Sequence, residues 1–122
     1  MILPLNHQIW FYPKVIDFRK QLNGLMMLVI DTLGRNPGSG ELFIFRDRTG
    51  KKLKMIYFDG QCFWLLSCRL EQGRFKLPKK GDTAFSISTH QLTWLLSGLS
   101  MDKNQEKTLN NSPYAQSFPE RW

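Results

Sequence analysis

The residues with the clearest chemical potential are cations concentrated in one third of the chain. Residues 41–80 contain ten Lys or Arg against four Asp or Glu, so this third holds +6 of the formal net charge of +7. The cations are Arg46, Arg48, Lys51, Lys52, Lys54, Arg69, Arg74, Lys76, Lys79 and Lys80. Lys and Arg side chains neutralise phosphates, and the counterions that are released drive binding. The pattern therefore indicates a surface that binds nucleic acid.

Two other interpretations of the same cations stay open at this point. Aromatic residues alternate with the cations, and in a nucleic-acid surface they could stack on the bases of a single strand. The first alternative is that these residues form a contact surface for a protein partner. The charges could also belong to a solvated sheet face, where they discourage pairing of the sheet edge with another chain.

Acidic, histidine and cysteine residues do not form a catalytic or metal-binding pattern. Asp17 and Asp31 are about four helical turns apart in a predicted helix, and Asp59 precedes glycine in a predicted turn, where aspartate is favoured for backbone reasons. Neither His7 nor His90 has an obvious nucleophilic partner, and the phosphate-binding motif GxxxxGK[ST] is absent from the sequence. We expect no catalytic activity, no metal ion, no cofactor and no small-molecule substrate.

The composition is typical of one small intracellular domain. A chain of 122 residues with 42% hydrophobic residues can bury a core without disulfides or metals. Cys62 and Cys68 are too few for a disulfide framework, and we expect both to be reduced side chains in the core. No apolar run reaches the roughly 18 residues of a membrane span, and the first ten residues do not resemble a signal peptide. These features predict a cytoplasmic protein that does not bind membranes.

Four strands are predicted in the basic third, at about residues 41–48, 51–58, 61–70 and 74–77. The breaks between them are Thr49-Gly50, Asp59-Gly60 and Gln72-Gly73, each with glycine second, which is a strong hairpin signal. Two-residue turns pair Arg48 with Lys51, Phe58 with Gln61 and Glu71 with Arg74. Three hairpins in series predict an antiparallel meander.

The alternation of side chains along these strands separates two faces. One face is mainly apolar and contains Leu42, Ile44, Leu53, Met55, Tyr57, Cys62, Trp64, Leu66, Cys68, Leu70, Phe75 and Leu77. The other face combines five cations with six apolar residues: Lys52, Lys54, Arg69, Arg74 and Lys76 with Phe43, Phe45, Ile56, Phe58, Phe63 and Leu65. This second face is either an open aromatic surface or a surface covered by a helix, with the cations at its rim.

The remaining elements are predicted to pack on this meander. Residues 7–13 predict a strand, and an apolar stripe predicts a long helix from Asp17 that ends at Gly34. Residues 84–88 predict a short strand, and a capping box at Ser88 predicts a second helix. The fold class is therefore α+β: an antiparallel meander of about four to six strands packed with one long and one shorter helix, in a single domain over residues 1–99. Residues 100–122 are predicted to be a disordered tail.

Arg19 and Lys20 are a separate prediction. Both lie in the first turn of the predicted long helix, where the helix dipole disfavours positive charge. We expect each to contact either a phosphate or a carboxylate such as Asp17 or Asp59.

Four segments in series resemble one known family. Residues 17–20 (DFRK), followed by Asn23-Gly24-Leu25, resemble the opening "DMRKG-x-DGL" of TnpB accessory proteins, which the second open reading frame of bacterial insertion sequences of family sixty-six encodes. The resemblance continues through residues 40–46 (GELFIFR), 54–60 (KMIYFDG) and 69–75 (RLEQGRF), and ends with the leucines of residues 91–98. Order and spacing are kept over about residues 8–99.

The resemblance implies a role in transposition beside a separate, larger transposase that performs catalysis. Three positions depart from the family pattern: Phe58 and Leu77 stand in place of tryptophan, and Gly38 in place of a bulky residue. Combined with the cations, the resemblance predicts a non-catalytic accessory protein that binds DNA through a basic meander. The alternative is an adaptor that holds the transposase or another accessory subunit through the aromatic second face.

Overall fold

The structure is a computed structural model that describes residues 8–78 and 81–101. In chain order, its strands are β1 (Ile9–Val15), β2 (Leu42–Arg46), β3 (Lys52–Phe58), β4 (Phe63–Arg69) and β5 (Phe85–Ile87). Helix α1 (Leu22–Leu28), which continues as a π-helical segment (Val29–Leu33), lies between β1 and β2, and helix α2 (Thr89–Leu96) follows β5. Among the described residues, no helix is both long enough and apolar enough to cross a membrane.

The five strands form one mixed sheet in the order β4-β3-β2-β1-β5. The pairs β2–β3, β3–β4 and β1–β5 are antiparallel, but β1 and β2 are parallel. The α+β class is as predicted, whereas a purely antiparallel meander is wrong at this one pair. Because α1 connects β1 to β2, the chain crosses from one end of the sheet to the other before β2 begins, which makes the two strands parallel.

The long helix starts later than predicted. The Asp17 carboxylate accepts the backbone N–H of Arg19 at 2.9 Å, and the backbone N–H of Lys20 donates to the Asp17 carbonyl at 3.1 Å. These bonds close a separate turn, so α1 begins only at Leu22. Its π-helical end stops at Gly34, whose φ of 66° is left-handed, as predicted from the glycine.

Two of the three predicted hairpins form, but only one of them has the predicted register. Phe43 pairs with Ile56 in the β2–β3 hairpin, in the register that the sequence predicts. Phe58, however, pairs with Phe63 rather than with Gln61, so the predicted β3–β4 register is wrong by two residues. The Asp59 carboxylate accepts two backbone N–H groups, from Gln61 at 2.9 Å and Cys62 at 2.8 Å, and these bonds hold a longer turn. A shift of two residues leaves every side chain on its predicted face.

The fourth predicted strand, at residues 74–77, is absent from the sheet that the described residues form. The segment instead crosses the β2–β3 turn, where the backbone N–H of Phe75 donates to the Gly50 carbonyl at 2.8 Å. The Phe75 ring is buried in the core, as the ring of an inward-facing strand residue would be. This burial explains why the segment was predicted to be a strand.

Two apolar clusters cover opposite faces of the sheet. On the α2 side, the cluster contains Ile9, Phe11, Leu42, Ile44, Leu53, Met55, Tyr57, Phe75, Ile87, Leu92, Leu95 and Met101. On the α1 side, it contains Tyr12, Ile16, Leu25, Val29, Phe43, Phe45 and Ile56.

Three side chains depart from the predicted core and tail. Cys62 is exposed, so its predicted place in the core is wrong, while Cys68 is half-buried and packs against the α2-side cluster. Trp64, on the predicted apolar face, is 37% exposed. Met101 is buried, and its carbonyl accepts the side-chain N–H of Gln91 at 3.0 Å. Residues 102–122 of the predicted tail lie outside the described residues.

Helix α2 begins as the sequence predicts. The Ser88 hydroxyl accepts the backbone N–H of Gln91 at 3.1 Å, and the Gln91 side chain accepts the backbone N–H of Ser88 at 2.8 Å. This reciprocal capping box satisfies two donors that would otherwise lack partners at the helix start.

Candidate nucleic-acid interface

Four strand ends bring most of the cations to one end of the sheet. Because β1 and β2 are parallel and β3 is antiparallel to β2, the ends of β1, β2 and β4 lie beside the start of β3. The segment 74–77 crosses the same place. We call this the basic end, and its cations are Lys14, Arg46, Arg48, Lys51, Lys52, Arg69, Arg74 and Lys76.

The centre of the basic end is the β2–β3 turn, and a buried acid organises it. The Asp47 carboxylate accepts the Thr49 hydroxyl at 2.6 Å and the backbone N–H groups of Gly50 at 3.0 Å and Lys52 at 3.2 Å. Burial by itself would raise the pKa of Asp47, but these hydrogen bonds outweigh it and the pKa is lowered. The ionised Asp47 thus fixes a turn from which Arg48 and Lys51 extend into solvent.

Gly50 lets the chain close this turn against residues 74–77. Its φ of 75° is in the left-handed region that favours glycine. A Cβ at this position would lie 3.9 Å from the Arg74 side chain and 3.8 Å from the Leu77 side chain. The β2–β3 turn and the segment after β4 are therefore packed together, which places Arg74 against Gly50 in this turn.

Lys52 on β3 and Arg69 on β4 lie side by side on the same face of the sheet. They are direct partners in the β3–β4 register, and both are exposed. The Arg69 guanidinium donates to the Glu71 carboxylate at 2.9 Å, whereas Lys52 forms no ion pair with any described residue. Within residues 8–78 and 81–101, Arg48, Lys51, Arg74 and Lys76 also lack an acidic partner. Arg46 is half-buried and donates to the Asp47 carbonyl at 3.2 Å.

Lys54 has a different environment from the other cations. The residue is 8% exposed, and its ammonium donates to the carbonyls of Phe18 and Lys20, each at 2.8 Å. The ammonium also lies 5.2 Å from the centroid of the Phe18 ring. This lysine therefore holds the turn before α1 onto the sheet, and we do not include it among the proposed phosphate contacts.

Arg19 and Lys20 lie in this turn and not in the first turn of α1, so the predicted conflict with the helix dipole is wrong. The Arg19 guanidinium pairs with the Asp17 carboxylate at 2.6 Å, which is the carboxylate contact that we expected as one of two options. Hydrogen bonds from the Arg19 side chain and backbone lower the pKa of Asp17 to about 2. The Lys20 side chain is exposed.

The opposite end of the sheet contains a cluster that sequence reasoning missed. The Glu41 carboxylate accepts the Trp10 indole N–H at 3.0 Å, the Ser39 hydroxyl at 2.9 Å and the Arg35 guanidinium at 3.0 Å. Arg35 also lies 4.1 Å above the Trp10 ring. Burial opposes ionisation of Glu41, but these bonds lower its pKa overall. Because Arg35 is neutralised here, this end does not add to the basic surface.

The aromatic second face is not an open surface. Phe43, Phe45 and Ile56 are almost completely buried beneath α1, with exposures of 0%, 0% and 1%. The rings of Phe58 and Phe63 contact each other in a tilted arrangement with centroids 4.5 Å apart, and both residues are half-buried. Of the two interpretations of this face, the structure supports the one in which a helix covers it and cations lie at the rim.

Lys14, which follows Pro13 in β1 and is exposed, is a further cation that the sequence pattern did not assign to the basic surface. Its place at the basic end depends on the parallel pairing of β1 with β2, and no local pattern signals that pairing. Lys79 and Lys80 lie outside the described residues. Within the described part of the chain, no three His, Cys, Asp or Glu side chains are grouped in a way that could hold a metal ion.

Comparison with known proteins identifies a family model and two relatives that each match most of the chain. A family model described as "IS66 Orf2 like protein" matches residues 7–106. The chain is 40% identical over 101 residues to "Uncharacterized protein y4hO" of Sinorhizobium fredii (strain NBRC 101917 / NGR234), covering 83% of this chain and 88% of that protein. It is 35% identical over 92 residues to "Uncharacterized protein y4jC" of the same strain, covering 75% and 79%. No solved structure matches the chain.

Proposed function

Because the chain belongs to the IS66 Orf2-like family of insertion-sequence accessory proteins, we propose that it is a non-catalytic accessory protein of transposition that binds DNA through its basic end. Membership of this family confirms the resemblance that the sequence motifs indicate. The DNA contact is our own addition, and it rests on the charge and geometry of the described residues.

One observation gives this proposal most of its support: several exposed cations without acidic partners among the described residues lie together at one end of the sheet. Arg48, Lys51, Lys52 and Arg74 project from strand ends and from a turn that Asp47 and Gly50 fix. Because the backbone that carries them is held in place, these cations can neutralise several phosphates at once. The proposed ligand is the sugar-phosphate backbone of duplex DNA.

A pair of single substitutions tests the position of the contact. Lys52→Ala and Gln61→Glu each lower the net charge by one, but Lys52 lies at the basic end and Gln61 lies in the β3–β4 turn at the opposite end. We expect Lys52→Ala to weaken binding of a 20-base-pair duplex by a factor of roughly three or more. The factor for Gln61→Glu should be less than half as large. Equal losses would mean that only the overall charge matters and would contradict a contact at the basic end.

Binding to the transposase is the second candidate partner interaction, and it follows from the family rather than from a surface described above. A pull-down of the element's transposase with this protein, with and without nuclease treatment, separates the two roles. Loss of the transposase after nuclease treatment is expected if DNA connects the two proteins. Retention after nuclease treatment would favour the adaptor role.

A further inference from the structure

The face that carries Lys52 and Arg69 has a charge conflict in the sheet itself. Like charges directly opposite each other on neighbouring strands are destabilising, and Lys52 and Arg69 are such a pair. Lys54, two residues along the same face, binds two backbone carbonyls. Arg69 binds the carboxylate of Glu71. Lys52 has no such partner among the described residues, so the pair is positioned to share an anion.

A groove of about 460 Å³ lies beside this pair. It is lined by Phe18 from the turn before α1, by Lys52, Ser67 and Arg69 from the sheet, and by Glu71 from the segment after β4. Ser67 and Arg69 are two residues apart on β4, so the Ser67 hydroxyl and the Arg69 guanidinium are on the same face. Three donors of the kind that bind phosphate oxygens therefore border one open groove.

Glu71 is the acid in this groove. Both Nε and Nη2 of Arg69 donate to the same oxygen, Oε1 of Glu71, at 3.2 and 2.9 Å. The two side chains are 64% and 73% exposed, so water screens their attraction and the ion pair is weak. A phosphate oxygen can replace this carboxylate oxygen on the same guanidinium edge, since Arg binds phosphate and carboxylate with the same geometry.

We propose that this groove is a subsite for one backbone phosphate of DNA, held by Lys52, Arg69 and Ser67, and that Glu71 competes with the phosphate for Arg69. The inference rests on the proposed DNA binding and adds to it a position for one phosphate and an internal competitor. Glu71, an acidic residue of the basic end, would thus lower the affinity for DNA.

Replacing Glu71 by Gln tests the competition. Glu71→Gln keeps the size of the side chain but removes its charge, and we expect binding of a 20-base-pair duplex to become about two- to fivefold tighter, measured by fluorescence anisotropy at low salt. The matched control is Asp31→Asn, which changes the net charge equally from an exposed position near the far end of α1. The control should tighten binding by less than about 1.5-fold.

The same substitution in an Arg69→Ala background shows whether Glu71 acts through Arg69. In that background we expect Glu71→Gln to tighten binding by no more than Asp31→Asn does, because only the change in charge remains once the residue for which phosphate and carboxylate compete is absent. An equal gain with Asp31→Asn, or an undiminished gain without Arg69, would overturn the competition. Absence of DNA binding by the unaltered protein would overturn the proposed function as well, whereas binding that Glu71→Gln does not tighten would overturn the subsite alone.

Discussion

At the scale of single residues, identical side chains in one strand have different tasks. Lys52 and Lys54 are two residues apart on β3 and face the same side, yet Lys52 is exposed and Lys54 is buried on two carbonyls. The sequence pattern placed both on a basic face because alternation gives the direction of a side chain and not its depth. The depth of Lys54 is set by the turn after β1, which packs over it from a distant part of the chain.

Replacing each lysine by methionine separates these tasks. Lys54→Met should lower the free energy of unfolding by about 1–3 kcal/mol, because the carbonyls of Phe18 and Lys20 lose their donor. Lys52→Met should change it by no more than about 0.5 kcal/mol, as is usual for an exposed position. Urea denaturation measures both, and similar values for the two variants would contradict the structural role of Lys54.

Asp59 gives a prediction for acid stability. Backbone N–H groups of Cys62 and Gln61 and the indole of Trp64 bind its carboxylate, and together they lower its pKa from 3.8 to about 2. Because the pKa in the folded state is the lower one, the stabilising effect of ionised Asp59 is complete above about pH 4 and is lost as the pH falls toward about 2. Asp59→Asn should therefore be less stable than the unaltered protein at about pH 6, and the difference should narrow between about pH 4 and pH 2.

The Trp64 indole proton provides a local control for this titration. Its NMR signal should shift with a midpoint near pH 2 in the unaltered protein, because the indole N–H lies 2.8 Å from the Asp59 carboxylate. The shift should be absent in Asp59→Asn. A midpoint at the ordinary aspartate value of about 4 would show that the hydrogen bonds to Asp59 do not form as described.

At the scale of elements, features specified by neighbouring residues could be predicted and features specified by distant ones could not. The capping box at Ser88, the end of α1 at Gly34 and the β2–β3 register all depend on a few adjacent residues, and the sequence predicts all three. The parallel pairing of β1 with β2 depends on how a helix crosses the sheet. The start of α1 was missed because the Asp17 carboxylate binds the backbone N–H of Arg19 and closes a separate turn before the helix. The β3–β4 register was missed because the Asp59 carboxylate binds the backbone N–H of Gln61 and holds a turn longer than two residues.

The cap of α2 is the element whose stability is simplest to test. Ser88→Ala should cost about 1 kcal/mol, since the backbone N–H of Gln91 loses its acceptor. Ser86→Ala is the matched control, because Ser86 is an exposed serine in β5, two residues away and outside the cap. Thermal or chemical unfolding should show a clear loss for the first variant only, and equal losses would indicate that the capping box adds nothing to stability.

At the scale of the whole molecule, the charge is arranged along the sheet. The basic end carries cations whose partners are absent or weak among the described residues, while Arg35 at the other end is bound to Glu41. This arrangement was only partly predictable: the composition located the cations in one third of the chain, but the parallel β1–β2 pair and the folded-back segment 74–77 determine that they meet. Such an asymmetry orients the protein as it approaches a polyanion.

A protein that binds DNA without reacting with it should leave the strands intact. We expect the purified protein to shift duplex DNA in a gel at low salt and to show no strand cleavage or joining with Mg²⁺ or Mn²⁺, the ions that carboxylate-based transposases require. Activity that copurifies with the protein and disappears on Asp17→Asn or Asp59→Asn would overturn the non-catalytic interpretation. Activity that survives both substitutions would indicate a contaminating nuclease.

The salt dependence of DNA binding tests the central claim most directly. The equilibrium constant for a 20-base-pair duplex is measured at several salt concentrations, for the unaltered protein and for a variant with Lys51, Lys52, Arg74 and Lys76 replaced by Ala. We predict that affinity falls steeply with salt for the unaltered protein, and that the slope of log K against log salt becomes shallower by about 0.9 for each phosphate that the variant no longer neutralises. An unchanged slope in a variant that circular dichroism shows to be folded, or binding that does not depend on salt, would contradict a DNA contact at the basic end.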